Sequence, residues 1–334
     1  METTDAASSP STGNTLGELG ETAIMARIFP RLPAADAQLL GPGDDAAVVA
    51  APDGRFVVTT DMMIHGPDFR LAWSTPHDLG WKAAASNLSD VAAMGAAPTA
   101  LVVAIAAPQG SPVELLEGIA DGFRDACAAL APACGVVGGD LSVSPTLTLA
   151  VTAFGDLEGR QPVLRSGARV GDIAAISGEL GGAASGLRLL FEHGIDLNGQ
   201  PDAALAAITR ERYPDGVNAQ LAPAPPISDG VAAAVGGATA MIDLSDGLAL
   251  DASRVAAASR VAIDLDSAAV GSRDALDGGE NHSLFATFPA GTTLPGGFRR
   301  IGTVVEGTGL LVDGTAYDRE TGWDPYSGWD GGSG

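Results

Sequence analysis

The residues of this sequence that could do chemistry are carboxylates placed beside apolar runs. Asp44 and Asp45 sit in Gly41-Pro42-Gly43-Asp44-Asp45-Ala46-Ala47-Val48-Val49, on a glycine–proline turn directly before an apolar stretch. Adjacent carboxylates repel each other and prefer to stay hydrated, so beside a core strand they favour a shared cation. Alone, an Asp-Asp turn reads as an ordinary solvated turn; recurrence is what gives it weight. Asp61 closes Phe56-Val57-Val58-Thr59-Thr60-Asp61, and Asp140 closes Gly135-Val136-Val137-Gly138-Gly139-Asp140. Asp243 and Asp246 lie in Met241-Ile242-Asp243-Leu244-Ser245-Asp246-Gly247, and a helix adds Asp90. We expect these acids, with Asp45, Asp61, Asp90 and Asp140 foremost, to meet in one pocket on hydrated divalent metal.

Magnesium fits that expectation, because it keeps several waters and is held by a few carboxylates together with substrate phosphates. No twelve-residue calcium loop occurs. His65, His77, His193 and His282 are scattered, and Cys127 and Cys134 lack zinc-ligand spacing. Gly-x-Ser-x-Gly, the signature of a serine hydrolase elbow, is absent.

Alternating apolar strands and amphipathic helices must position these residues. The pattern predicts a helix over Leu16–Phe29, a strand over Phe56–Thr60 that delivers Asp61, and a loop over Met62–Trp73. A helix over Pro76–Gly95 follows, with Thr75 as N-cap and Pro76 in its first turn. Trp81, Ala84, Leu88, Val91 and Ala92 form its buried stripe. Lys82, Ser86, Asn87 and Asp90 share the opposite face, which reads equally as an ordinary solvated surface. Strands are predicted over Ala100–Ala107 and Leu147–Phe154, and a helix over Pro112–Leu130. The Gly138-Gly139 pair before Asp140 reads as a tight turn or as a close backbone approach to a ligand.

A boundary near residue 157 divides the chain into a unit over 16–157 and a unit over 158–334, after a Ser/Thr/Gly/Ala-rich and disordered tail over 1–15. In the second unit we predict strand Ile173–Ser177, then Gly178-Glu179-Leu180-Gly181-Gly182 opening helix Ala183–Glu192. That glycine turn matches neither phosphate-binding fingerprint and ranks first as helix packing. A loop-rich Asp196–Pro226 precedes helix Ile227–Val235, the Asp243 strand, helix Leu248–Ala258 and strands Val261–Leu265 and His282–Phe288. The fold class is α+β or α/β, in two domains.

Composition narrows the function. The 334 residues carry 18 basic against 41 acidic side chains, a net charge of −23, and Lys82 is the only lysine. Such a surface lacks the basic stripes that nucleic acid requires. An acidic protein that handles phosphate-rich ligands has to recruit cations. No apolar run is long enough to span a membrane, and the first residues do not read as a secretory signal. Two separated cysteines read as buried thiols of a reduced cytoplasm.

Seven motifs in order then carry a resemblance. They are Gly-x-Gly-Asp-Asp-Ala-Ala at 41–47, Thr-Thr-Asp at 59–61, Asn-Leu-Ser-Asp-Val-Ala-Ala-Met-Gly-Ala at 87–96, Gly-Gly-Asp at 138–140, Arg-Ser-Gly-Ala at 165–168, Asp-Leu-Ser-Asp-Gly-Leu at 243–248 and Gly-Gly-Glu at 278–280. Together the set resembles thiamine-monophosphate kinases, within the ATP-binding superfamily of aminoimidazole ribonucleotide synthetase. The resemblance implies ATP-dependent phosphorylation of thiamine monophosphate to thiamine diphosphate. It also implies a PurM-like fold, in which a mixed N-terminal sheet forms a barrel across a homodimer beside a C-terminal α/β domain. Asp45, Thr59, Thr60, Asp61, Asp90, Asp140, Asp243 and Asp246 would be magnesium ligands. Gly139, Asp140, Arg165 and Ser245 would contact ATP, with Asp61, Asp140 and Arg165 central to catalysis. Asp68, Glu280 and a C-terminal aromatic (Tyr326, with Trp323 and Trp329 competing) would contact thiamine monophosphate. The chain departs from the family after Glu280, where Asn281-His282-Ser283 stands in place of Asp-Tyr-Glu.

Overall fold

The computed structural model describes residues 15–19, 21–40 and 47–317. Asp44, Asp45, Trp323, Tyr326 and Trp329 therefore lie outside the described residues. The chain begins with α1 (Leu16–Leu19) and α2 (Glu21–Ile28), which lie within the span where the sequence predicts a helix. Strands β1 (Gln38–Leu40) and β2 (Val48–Val49) pair antiparallel on either side of the Asp44–Asp45 segment.

The first large sheet contains β3 (Val57–Ile64), β4 (Ala97–Ala107), β5 (Gly135–Val143) and β6 (Thr148–Asp156) in the order β3-β6-β4-β5. It is mixed: β4 and β5 run parallel, the other pairs antiparallel. Helices α3 (Pro76–Ala93) and α4 (Val113–Leu130) cover one face. Two local expectations change here. Strand β3 continues three residues beyond Asp61, so Asp61 lies within a strand. Gly138, Gly139 and Asp140 are likewise inside β5. The second glycine is needed for close approach between strands, because a Cβ at Gly139 would meet the Val103 carbonyl oxygen at 2.0 Å.

Helix α3 is the axis of the molecule. Thr75 Oγ1 accepts from the Asp78 amide while the Asp78 carboxylate accepts from the Thr75 amide, and Pro76 opens the first turn. Its second turn presses backbone against backbone on α4: a Cβ at Gly80 would lie 1.9 Å from the Ile119 carbonyl oxygen. The polar face is not solvated. Lys82, Ser86, Asn87 and Ser89 are all buried, because that face packs against β3 and against the second half of the chain.

The second half contains β7 (Ile173–Ser177), α5 (Gly182–His193), α6 (Ala203–Arg212), α7 (Pro214–Leu221), α8 (Ile227–Val235), β8 (Ala240–Asp243), α9 (Leu248–Ser259) and β9 (Ala262–Leu265). It continues with α10 (Ser267–Val270), α11 (Arg273–Asp277), β10 (Leu284–Phe288), β11 (Arg299–Val305), β12 (Gly309–Val312) and β13 (Thr315–Ala316). Seven strands form one mixed sheet in the order β13-β12-β9-β11-β7-β10-β8, with β12 and β9 parallel. The segment expected as loop over Asp196–Pro226 folds as α6 and α7. Asp202 caps α6, and Ala206, Val217 and Leu221 pack with Trp73 and Leu190. Its prolines and asparagines obscured the helical spacing. At the other end, His282 precedes β10, and it and Glu280 have left-handed backbone (φ 51° and 64°), so the strand predicted from His282 starts at Leu284.

One apolar cluster joins the two halves, running from Leu16 through Leu88, Val91 and Met241 to Phe298. A second, around Ile176, Val255 and Phe285, fills the seven-stranded sheet and α9. Cys127 and Cys134 are free and buried. No helix among the described residues is long and apolar enough to cross a membrane.

Candidate active site

Strand β3, helix α3 and the end of β8 meet along the buried polar face of α3. Thr59 Oγ1 donates to Asp90 Oδ2 at 2.9 Å, and the Asp61 amide donates to Asn87 Oδ1 at 3.2 Å, so α3 fixes β3 at two points. Ser89 Oγ donates to Asp243 Oδ2 at 3.2 Å, which ties α3 to β8. Thr59, Asp90, Arg165 and Asp243 line one cavity of about 700 Å³ at this junction. Residues from positions 59 to 243 are thus brought to one wall by a single helix.

The electrostatics of this cluster are those of crowded, poorly hydrated carboxylates. Burial, then the negative charges of Asp243 and Asp61, push Asp90 up to about 7, against the pull of the Thr59 hydroxyl. Burial also raises Asp61; His282 opposes the rise, while Asp243, Glu280 and Asp246 add to it. Asp246 has found a cation: Arg254 Nη1 lies 2.6 Å from Asp246 Oδ2 and 2.6 Å from Asp251 Oδ1. The Asp246 amide donates to Asp251 Oδ2 at 3.1 Å, so a buried carboxylate props up the loop that bears Asp246. Burial raises Asp251 to about 6 despite the Asp246 amide and Arg254.

The expected substrate residues form an adjoining group. Glu280 Oε2 is 2.5 Å from Lys82 Nζ, and Asp68 accepts from the Ile64 amide at 2.7 Å. Burial is the main cause of a raised Asp68, which also responds to the charges of Glu280 and Lys82. The Glu280 amide donates to the Ser245 carbonyl at 2.7 Å, joining the Gly-Gly-Glu turn to the Asp243–Asp246 loop.

His282 and Asn281, where the sequence departs from the family, have defined roles. His282 is buried, with Nδ1 3.4 Å from Asp243 Oδ2 and 3.4 Å from Ser89 Oγ. Burial disfavours its charged form, but Asp243 and Glu280 raise it overall. Asn281 Oδ1 accepts from the Ala183 amide at 3.3 Å, and its Nδ2 donates to the Gly278 carbonyl at 3.1 Å. Asn87, Ser89, His282 and Arg254 are the site residues that sequence reasoning did not assign; Lys82 is expected from the sequence to pair with a nearby acid, and pairs with Glu280. Only the helical spacing of Lys82, Asn87 and Asp90 hinted at them.

Asp140 is not brought to this cluster within one chain. Across the sheet, Asp61 pairs with Val151, Val151 with Val103, and Val103 with Gly139. Asp140 occupies the next row, with Ala104, Ala150 and Met62. Asp61 and Asp140 therefore stand on opposite edge strands, roughly 14 Å apart by three strand spacings, and project to opposite faces. Thr60 shares the face of Asp140, and its hydroxyl donates to the Val151 carbonyl at 2.9 Å. Gly139 and Asp140 line a different cavity of about 800 Å³, together with Met25, Phe29, Val49 and Phe123.

The donor set is all oxygen, carboxylate and hydroxyl, as a hard divalent cation requires, and a cation would relieve the raised carboxylates. Among the described residues, no three acidic, histidine or cysteine side chains stand close enough to hold a metal unaided.

Known proteins resemble this chain in sequence and fold. Residues 43–157 match the family model described as AIR synthase related protein, N-terminal domain. The chain is 43% identical to thiamine-monophosphate kinase of Mycobacterium tuberculosis over 333 residues, covering 94% of this chain and 92% of that one. Thiamine-monophosphate kinase from Stenotrophomonas maltophilia K279a superposes with a TM-score of 0.72 at 32% identity, over 89% of this chain and 96% of the other. The structure of AaThiL complexed with AMPPCP and TMP superposes with a TM-score of 0.68 at 30% identity, over 94% and 99%.

Proposed function

The chain belongs to the thiamine-monophosphate kinase family, with its AIR synthase-like α+β fold of mixed sheets, and we propose that it transfers the terminal phosphoryl group of ATP directly to the phosphate of thiamine monophosphate. The products are thiamine diphosphate and ADP. The observation that carries this reading is the meeting of Thr59, Asp90, Arg165 and Asp243 on one cavity wall, with Asp61 in electrostatic contact.

Thr59, Asp61, Asp90 and Asp243 would hold magnesium, together with Asp246 once Arg254 yields it, and Asp45 from the sequence before β2. Bound magnesium would supply charge neutralisation for two anionic reactants in an anionic protein. Arg165 offers a guanidinium for ATP phosphates. Ser245 sets the loop beside them, and Asp68, Glu280 and Tyr326 would receive thiamine monophosphate. The acceptor is a phosphate oxyanion, with a second pKa of about 6 by analogy with phosphorylated side chains, so the protein needs no strong general base. Positioning and electrostatics suffice for phosphoryl transfer, and His282 is committed to Asp243 rather than to an incoming hydroxyl.

We further propose a homodimer that completes the site. On the face away from α3 and α4, beyond the part against which Ala35, Ala47 and Val49 pack, the four-stranded sheet exposes Val58, Met62 and Ile64 on β3, and β3 and β5 are its edge strands. Closing two such sheets into a barrel would pair the edges and bring Asp140 and Gly139 of a second copy near Asp61. We keep the division near residue 157 into a nucleotide-binding and dimerising unit and a C-terminal unit; the separation of the two sheets supports it. Free buried thiols suit a cytoplasmic setting.

The test is incubation with Mg-ATP and thiamine monophosphate. Formation of thiamine diphosphate supports the kinase; ATP binding without turnover would instead make the protein a nucleotide-binding regulator.

A further inference from the structure

Lys82 is the only lysine in the chain; the other basic residues that make up its 18 positive charges are all arginines. The side chain is nearly buried, at 7% exposure, and its ammonium meets Glu280 Oε2 at 2.5 Å. Gln220 of α7, with its amide oriented to satisfy its neighbours, accepts from Lys82 Nζ at 3.3 Å and donates to the Ala183 carbonyl at 3.1 Å. One ammonium thus binds three elements: α3, α7 and the Gly278–Glu280 turn. A compact ammonium with three donors fits such a junction, where the wide planar fork of an arginine does not.

The turn needs such a restraint. Glu280 adopts φ 64°, a left-handed conformation uncommon for a residue with a side chain. Its backbone is held by the Ser245 carbonyl at 2.7 Å, but the carboxylate has Lys82 as its ion-pair partner. Asp68 lies within reach of both charges. Without an ammonium, two carboxylates would stand unneutralised where thiamine monophosphate is proposed to bind.

We infer that Lys82 is a positioning residue for the acceptor substrate: it orients the Glu280 carboxylate and cancels its charge, so that thiamine monophosphate binds. This rests on the kinase reading above and adds to it a residue that acts through Glu280.

The experiment compares wild type, Lys82→Met, Glu280→Gln and the double variant, with KM measured for each substrate and thermal midpoints recorded alongside. Lys82→Met is expected to raise KM for thiamine monophosphate by about tenfold or more, the scale of one unpaired charged group, and to leave KM for ATP within about twofold. Added to Glu280→Gln, it should cost almost nothing more, because both substitutions remove one device. Equal effects on both substrates, or full additivity in the double variant, would overturn the inference. Should Lys82→Met fail to fold, the double variant, which leaves no unpaired charge, still decides: a KM for thiamine monophosphate well above that of Glu280→Gln overturns it. Failure of the kinase reading shows up separately, as a wild type that forms no thiamine diphosphate.

Discussion

Thr59 Oγ1 donates a 2.9 Å hydrogen bond to Asp90 Oδ2, and this contact locks β3 to α3 at the carboxylate held furthest from its usual range. Asp90 titrates near 7 in the fold against 3.8 for the free side chain, through burial and the charges of Asp243 and Asp61. A folded-state pKa above the unfolded one means that the native state binds the extra proton. The stability this contributes is complete below about pH 3.8 and lost as pH rises towards about 7. On the proposed reading, a divalent cation would take over the proton's role above that range. Magnesium should therefore raise the thermal midpoint more at about pH 8 than at about pH 5, and Asp90→Asn should flatten the difference. An equal magnesium shift at both pH values, in wild type and variant alike, would contradict this.

Asp61→Asn should abolish turnover with the fold intact. The Asp61 side chain keeps exposure on the face of β3 turned towards α3, and its amide, not its carboxylate, bonds Asn87. Loss of one preorganised charge at a phosphoryl-transfer site costs on the order of 100-fold or more in kcat. Steady-state kinetics with circular dichroism checks this; near-wild-type turnover would remove Asp61 from the metal site.

The opposite-edge placement of Asp61 and Asp140 gives a sharper test of the shared site. Asp61→Asn and Asp140→Asn proteins, each inactive alone, should regain about a quarter of wild-type activity when unfolded together and refolded as mixed dimers, because half the dimers are mixed and each has one intact site. No regain would mean that both aspartates act within one chain. Met62→Glu, on the exposed face of β3, should shift the protein towards monomer in sedimentation and lower its activity in parallel.

Gly80→Ala tests the frame behind the site. The new methyl would overlap the Ile119 carbonyl oxygen, forcing α3 away from α4. Overpacking of this kind costs roughly 1–3 kcal/mol, and α3 carries Lys82, Asn87, Ser89 and Asp90, so activity should fall with stability. Chemical denaturation would measure the first effect; an unchanged midpoint would show that α3 shifts freely.

Residue order alone was enough to reveal the chemistry. Acidic residues beside apolar runs, the Thr75–Pro76 helix start and the spacing of Lys82, Asn87 and Asp90 are local features, and local physics fixes them. So α3 was legible almost to its ends, as were the strand before Asp243 and the glycine turn at 178–182, whose positive-φ glycines pack against Ser283 and Ala275. Other things depend on partners distant in sequence. That the polar face of α3 is buried follows from Ser89 meeting Asp243 and Lys82 meeting Glu280, contacts between residues 154 and 198 positions apart. Which face Asp140 takes follows from the register of three strand pairs, since one residue of slip reverses every side chain. Such matters wait for the assembled fold, because a polar stripe looks the same to a helix whether water or another carboxylate will lie against it.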